Sequence, residues 1–321
     1  MDKMSTKNIT GIHHITALAG NALKNLEFYR DILGLRFIKK TVNFDDPGVY
    51  HLYFGDYEGN PGSILTFFPY EGIRRGRHGV GLVNTTSFSV PAESIAYWEN
   101  RFEKYSIPFK NVQERFGSEA FMYFEDTDGL GLELVFNNLD KRGPIPGGDI
   151  PGEYAIRGFF GAEIWAAGSE RTAALLTDKM DHELIKESGS RVRFAAKNEP
   201  GHFIDILVPS SSTRGLNGGG TVHHVAFATP DKETQLKAWH AVKRHGLDPT
   251  PFIDRQYFRS IYFREPGGVL FEVATNGPGF AIDEPLEALG TELKLPPRYE
   301  NRRESIETQL QPLNDPSKSF K

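Results

Sequence analysis

Ten histidines occur in this 321-residue chain, and four of them form two doublets, His13-His14 and His223-His224. Cysteine is absent. A disulfide, a thiolate metal site and a cysteine nucleophile are therefore excluded, and any metal must be held by imidazole, carboxylate or water. The third residue of interest is Glu272, set in the apolar run Val269-Leu270-Phe271-Glu272-Val273-Ala274. A carboxylate there is expensive to bury alone, and a cation would resolve the cost. Two neutral imidazoles and one carboxylate on one side of an ion make a facial triad. Up to three positions stay open, which suits Fe(II) that must bind both a substrate and O2. Mn(II) is a plausible substitute. Zn suits the set less, because its catalytic sites usually keep one open position.

Taken singly, each residue has an ordinary explanation. A histidine on a strand is most often a hydrogen-bonded structural residue, and a strand glutamate can face solvent by alternation. What weighs against this is the placement of the doublets in a repeat. Asn84-Thr85-Thr86-Ser87-Phe88-Ser89-Val90-Pro91 matches His223-His224-Val225-Ala226-Phe227-Ala228-Thr229-Pro230. Pro91 and Pro230 lie 139 apart (230 less 91), as do Glu133 and Glu272, so one offset holds without a gap. A repeat of this length implies stacked or paired modules.

Each module has the same grammar. In the fourth, a strand over 222–228 precedes an amphipathic helix over 231–245 that ends at Gly246. Strands follow near 250–254, 260–264 and 269–275, the last two joined by the turn Glu265-Pro266-Gly267-Gly268. The first module begins at Ile12-His13-His14, has its helix over 21–33 and ends near Pro69. The third has its helix over 169–180. The predicted fold is α+β, with four βαβββ modules paired into two domains. The N-terminal domain spans 9–138, a Gly- and Pro-rich linker 139–157, the C-terminal domain 158–278, and a tail with one helix near 300–310 occupies 279–321. The Gly- and Arg-rich stretch 71–83 either connects modules or covers a site.

Neighbours on a strand point to opposite faces, so one histidine of each doublet should face the concave side of its sheet. Equivalent apolar surroundings select His14 and His224. If modules one and four face each other, His14, His224 and Glu272 converge. The other modules lack the set. Asn84 and Thr85 replace the doublet in module two, so Glu133 reads as a structural or exposed carboxylate. Phe160 and Gly161 replace it in module three, where Asp205 sits near the glutamate position. That is the pattern of one working site and one retired one.

Four βαβββ modules, two His-His doublets and the Gly-Gly-Val-Leu-Phe-Glu strand resemble the vicinal oxygen chelate superfamily. Within it the chain is similar to ring-cleaving dioxygenases that act on hydroquinones. The resemblance implies iron at His14, His224 and Glu272, with His13 and His223 beside the substrate and Thr16 lining the same pocket. It also implies a substrate-orienting Arg255 and a tyrosine near the metal, Tyr262. Strand alternation would turn His13 and His223 away, so a bulge or strong twist is required. Without the resemblance, Arg255 could equally pair with Asp254 or Glu265, and Tyr262 could be sheet packing.

The function so implied is oxidative ring cleavage of a small aromatic diol, a hydroquinone or else a catechol, with O2, in quinone detoxification. Two rivals stand beside it: a glyoxalase-like isomerase or thiol transferase, which would need a second carboxylate, and a metal-free binder of aromatic compounds. Lys+Arg number 37 against 42 Asp+Glu, so no basic excess supports nucleic-acid binding. No apolar run is long enough to span a membrane, and residues 1–8 lack the apolar core of a signal peptide, so a cytoplasmic protein is expected. Paired sheets with long edges make a homodimer reasonable.

Overall fold

The computed structural model describes residues 7–211 and 213–313. Each module begins on a buried strand and then enters a helix whose ends are set locally. In module four, Asp231 caps the helix Lys232–Arg244: its carboxylate accepts from Thr234 N, and Thr234 Oγ1 accepts from Asp231 N. This reciprocal cap satisfies donors that the first helical turn leaves unpaired. Gly246 then turns the chain at φ +88°, a left-handed geometry that glycine takes without strain. In module one, Asn21 caps Ala22–Glu27, and the expected helix finishes as a π-helical turn over Phe28–Ile32. The strand expected at 250–254 pairs only at Ile253–Asp254, because Pro249 and Pro251 offer no N–H to a ladder.

The strands form two sheets of eight. From its centre outward, each half-sheet carries the first, fourth, third and second strand of one module. In the first sheet the central pair is Gly11–Ala19 against Thr221–Thr229, antiparallel, flanked by the parallel strands Ile64–Pro69 and Leu270–Pro278. In the second the central pair is Leu82–Pro91 against Phe159–Trp165. Modules one and four therefore share one sheet, and modules two and three share the other. The sheets are assembled across the linear division at 139–157 rather than within it. Buried polar contacts join modules that are neighbours in sequence: Tyr29 donates to Asp126 Oδ2 at 2.8 Å, and Thr172 to Glu265 Oε2 at 2.6 Å.

Bulges interrupt both central pairs at matching places. Ile12 pairs with Phe227 and His14 with Ala226, leaving His13 as an extra residue. Thr16 pairs with His224 and Ala17 with Val222, leaving His223 extra. In the second sheet the extra residues are Asn84 and Phe160. A bulge re-aims the side chains beside it and so overrides simple alternation.

The stretch 139–157 is irregular but packed; Trp98 Nε1 donates to Tyr154 O at 3.0 Å, and Ile145 is buried. The Gly- and Arg-rich stretch 71–83 pairs with the segment 213–220 through backbone hydrogen bonds such as Arg77 N to Leu216 O at 2.9 Å. The tail closes over the first sheet. Lys39 is wholly buried and donates to Asp283 at 2.6 Å and to Glu284, while Tyr257 donates to Asp283 at 2.9 Å. Phe280, Leu295 and Ile306 bury an apolar cluster with Ile38, Val42 and Tyr53; each such side chain contributes about 1.5–3 kcal/mol. The tail helix appears as a 3-10 segment Pro297–Arg302 continued by the α-helical Arg303–Glu307. Expectations for the first six and last eight residues lie outside the described residues. Among those described, no helix is long and apolar enough to cross a membrane.

Candidate metal centre and its cavity

His14, His224 and Glu272 meet on the first sheet. His14 comes from the first strand of module one, His224 from the first strand of module four, and Glu272 from the last strand of that module, opposite Ala226 and Tyr262. His14 Nε2 lies 3.2 Å from His224 Nε2 and 3.3 Å from Glu272 Oε2; His224 Nε2 lies 2.9 Å from the same oxygen. All three are buried. Among the described residues they are the one cluster whose ligand atoms fall within 4.8 Å of one another. Burial would raise the Glu272 carboxyl, but His14 and His224 reverse this and hold it well below the usual carboxylate range. Ser260 Oγ donates to Glu272 Oε1, whereas Oε2 makes no hydrogen bond of acceptable geometry.

Proton placement tests whether this set fits a cation. His14 Nδ1 lies 2.9 Å from His13 Nδ1, and His224 Nδ1 lies 2.8 Å from His223 Nδ1. With the two Nε2 lone pairs and Glu272 Oε2 turned to an ion, each ligand imidazole carries its proton on Nδ1 and donates it to its neighbour. His13 and His223 then accept on Nδ1 and carry their protons on Nε2. Each Nδ1–Nδ1 contact then has one donor and one acceptor, and both free Nε2 lone pairs share one point with Glu272 Oε2. Burial, followed by the adjacent ligand histidine, pushes both His13 and His223 down to about 3, so these imidazoles stay neutral. Burial likewise lowers His224. The donors N, N and O fit a facial divalent metal with open positions.

The centre opens on a cavity of about 320 Å³. His223, Arg255, Tyr262, Phe258 and Phe68 line it, as do His14 and His224. Phe258 also packs 5.0 Å from the rings of both His13 and His14. Arg255 Nε donates to the Tyr262 hydroxyl at 3.1 Å, and its Nη1 to Asp45 Oδ2 at 3.0 Å. The carboxylate partner is thus Asp45, from the hairpin of another module, and not Asp254 or Glu265. Glu265 instead accepts from Thr172 and from Val269 N. Burial raises the Tyr262 phenol well above its ordinary value.

His223 lines the cavity, and His13 does not; it packs edge-on against His14, with its ring buried. Thr16 is wholly buried and does not line the cavity. Its hydroxyl is 2.8 Å from Thr66 Oγ1, which is 2.8 Å from His51 Nε2, and His51 forms the cavity wall. Thr16 thus reaches the pocket through two intermediaries, because the Thr16 and Thr66 side chains face each other across a parallel pair. Sequence reasoning missed Ser260, His51 and Asp45. Ser260 shares a strand face with Tyr262, two positions on, and alternation would have found it. His51 bonds Tyr53 as well as Thr66, at 2.8 Å each. For Asp45 no local signal exists, since its role depends on which module lies opposite.

The family model for the Glyoxalase/Bleomycin resistance protein/Dioxygenase superfamily matches residues 11–134 and 161–273. The chain is 45% identical, over 96% of its length and 97% of the relative's, to the "Putative ring-cleaving dioxygenase MhqO" of Bacillus subtilis. It is 32% identical to the chlorohydroquinone/hydroquinone 1,2-dioxygenase of Sphingobium indicum, over 97% of this chain and 98% of that one. A crystal structure described as a "putative dioxygenase" from Bacillus subtilis superposes with a TM-score of 0.92 at 44% identity, covering 96% of this chain and 99% of that one. Fold, modules and full-length kinship agree: the chain belongs to the Glyoxalase/Bleomycin resistance protein/Dioxygenase superfamily and, within it, to the ring-cleaving dioxygenases.

Proposed function

We propose that this enzyme is an Fe(II)-dependent dioxygenase that opens the ring of a hydroquinone-type diol, with Mn(II) as the nearest substitute metal and catechol as the nearest substitute ring. A role in removing quinones and hydroquinones follows from that substrate class. The observation that carries the reading is the convergence of His14, His224 and Glu272 at the floor of an aromatic-walled cavity that also holds Arg255, Tyr262 and His223. The kinship to a hydroquinone dioxygenase supports the substrate class. No second carboxylate joins the cluster among the described residues, which weighs against the isomerase and thiol-transferase alternatives.

When bound, the metal supplies Lewis acidity toward a phenol oxygen and a shared site for O2. The chain's own residues do the rest. Phe68 and Phe258 hold a flat ring and exclude water. The His223 Nε2–H donates to negative charge as it develops on a reacting oxygen, and its lowered basicity keeps it a neutral donor. Arg255 and Tyr262 hold the second hydroxyl, which in a para-diol lies across the ring from the first. Both atoms of O2 enter the product and no external reductant is consumed.

The test is O2 uptake by protein reconstituted anaerobically with Fe(II), given methylhydroquinone and, separately, catechol, with His224→Ala as control. Stoichiometric uptake with a new ring-opened chromophore, lost in the control, is expected. Metal binding without uptake on either diol would move the weight to the isomerase or transferase.

A further inference from the structure

We propose that the Asp45–Arg255 ion pair at the rim of the cavity selects diol rings that carry no anionic substituent, and that Asp45 is the residue that sets this choice. The inference rests on the ring-cleaving reading above and narrows its substrate class.

Of the residues lining the cavity, only Asp45 and Arg255 carry a permanent charge. Arg255 spends Nε on Tyr262 and Nη1 on Asp45; its Nη2 has no partner among the described residues. The cavity therefore offers a ring one guanidinium donor edge, with the cation's charge already answered by a carboxylate. A ring bearing hydroxyl, alkyl or halogen groups needs a donor and no net charge. A ring bearing a carboxylate would surrender its hydration, find the one guanidinium of the lining already paired, and face Asp45 itself.

The placement of Asp45 is built rather than incidental. Its side chain is 72% exposed against 18% for Arg255. An ion pair with one partner so exposed contributes little to stability. Yet the hairpin that carries it is fixed from several sides. Tyr299 Oη and Arg298 Nη2, both from the tail, donate to Phe44 O at 2.8 and 3.2 Å. Asn43 donates to the Tyr70 hydroxyl at 3.1 Å and accepts from Asp45 N at 3.0 Å. The tail thus holds a carboxylate from module one against a guanidinium from module four, across the entrance to the centre.

The experiment uses the full chain, loaded with Fe(II), and compares kcat/KM for methylhydroquinone with that for 2,5-dihydroxybenzoate, which adds one ring carboxylate. Asp45→Asn and Asp45→Ser are expected to shift the ratio toward the carboxylated ring by about tenfold or more. Asp45→Glu, which keeps the charge, should leave the ratio near that of the wild type. Anaerobic calorimetry of 2,5-dihydroxybenzoate binding gives a second readout, expected to tighten in Asp45→Asn by a similar factor. The proposal is overturned if the wild type turns over methylhydroquinone while ratio and binding stay unchanged in Asp45→Asn. It is equally overturned if Asp45→Glu shifts the ratio as far as Asp45→Asn does. If the wild type consumes O2 with neither diol, the ring-cleaving reading fails and this proposal falls with it.

Discussion

The two sheets of this molecule share strand order, bulge positions and a glutamate at the same place in their last strands, yet their centres have opposite contents. In the first sheet His14, His224 and Glu272 surround a point, and a cavity of about 320 Å³ lies above it. In the second, Thr85 stands where His224 would be and Gly161 where His14 would be. A Cβ at Gly161 would lie 2.6 Å from Phe203 O, so any side chain there would have to displace backbone. Glu133, the counterpart of Glu272, is buried and accepts from Arg115 Nη1 at 2.7 Å and from Ser87 at 2.8 Å. Arg193 grips Asp205 through two bonds, at 2.6 and 2.8 Å, and also pairs with Glu119. The residual cavity measures about 10 Å³. Both frames bury carboxylates and both answer them with cations. In the first the proposed answer is an ion taken from solution, which leaves the cavity open; in the second the answer is tethered by side chains and fills the room.

The largest expected effect tests this contrast directly. Glu272→Gln should remove metal binding and lower O2 uptake by about a thousandfold or more. Glu133→Gln, the matching change in the other sheet, should leave turnover per folded molecule unchanged. Metal content and O2 uptake of both variants decide the matter, and equal losses would erase the distinction. Arg193→Met should then cost about 3–5 kcal/mol, read by denaturant unfolding, because it removes the buried cation bonded to both Asp205 and Glu119. Its turnover per folded molecule should match that of the parent.

Acid should separate the sheets next. Burial opposes the charges of Asp205 and Glu119, but bonds from Arg193 and their other guanidinium neighbours hold both carboxyls below their ordinary range. A carboxyl lowered on folding contributes stability above its unfolded value of about 4, and that contribution is lost as pH falls through the folded value. Metal-free protein titrated from pH 7 should therefore lose stability below about pH 4, and Arg193→Met should flatten the acid limb. The smallest effects come from the serines. Ser260→Ala should weaken metal affinity by about 10- to 100-fold through the freed Glu272 oxygen. Ser87→Ala, beside Glu133, should cost about 1 kcal/mol and leave metal affinity alone.

Much of this contrast is legible in the sequence. The modules show through because strand and helix periodicities are local, and because a 139-residue offset preserves the Gly, Pro and Glu positions. His14, His224 and Glu272 stand out because charged or basic residues interrupt apolar strands. The retired centre is legible as well, through Phe160, Gly161, Asn84 and Thr85. What fills it is not: Arg115, Arg191 and Arg193 look like surface arginines until neighbouring strands supply Glu133, Glu163 and Asp205 and the opposite module supplies Glu119 to Arg193. Similarity between modules two and four likewise says which modules are alike, not which share a sheet. The same gap hides Asp45 and the indirect route from Thr16 to the cavity. Asp45 depends on a partner from a distant module and Thr16 on strand pairing within its own, and residue type alone names neither.

The nesting of the sheets has a consequence for how the chain acquires its centre. His14 and His224 are 210 residues apart, and everything from Leu82 to Leu207 in the second sheet lies between them. During synthesis the second sheet can close on its own guanidinium ions while the strand Gly11–Ala19 still waits for Thr221–Thr229. The half that holds the candidate centre is thus a late, long-loop closure around a core already standing, and module one carries an open edge throughout the interval.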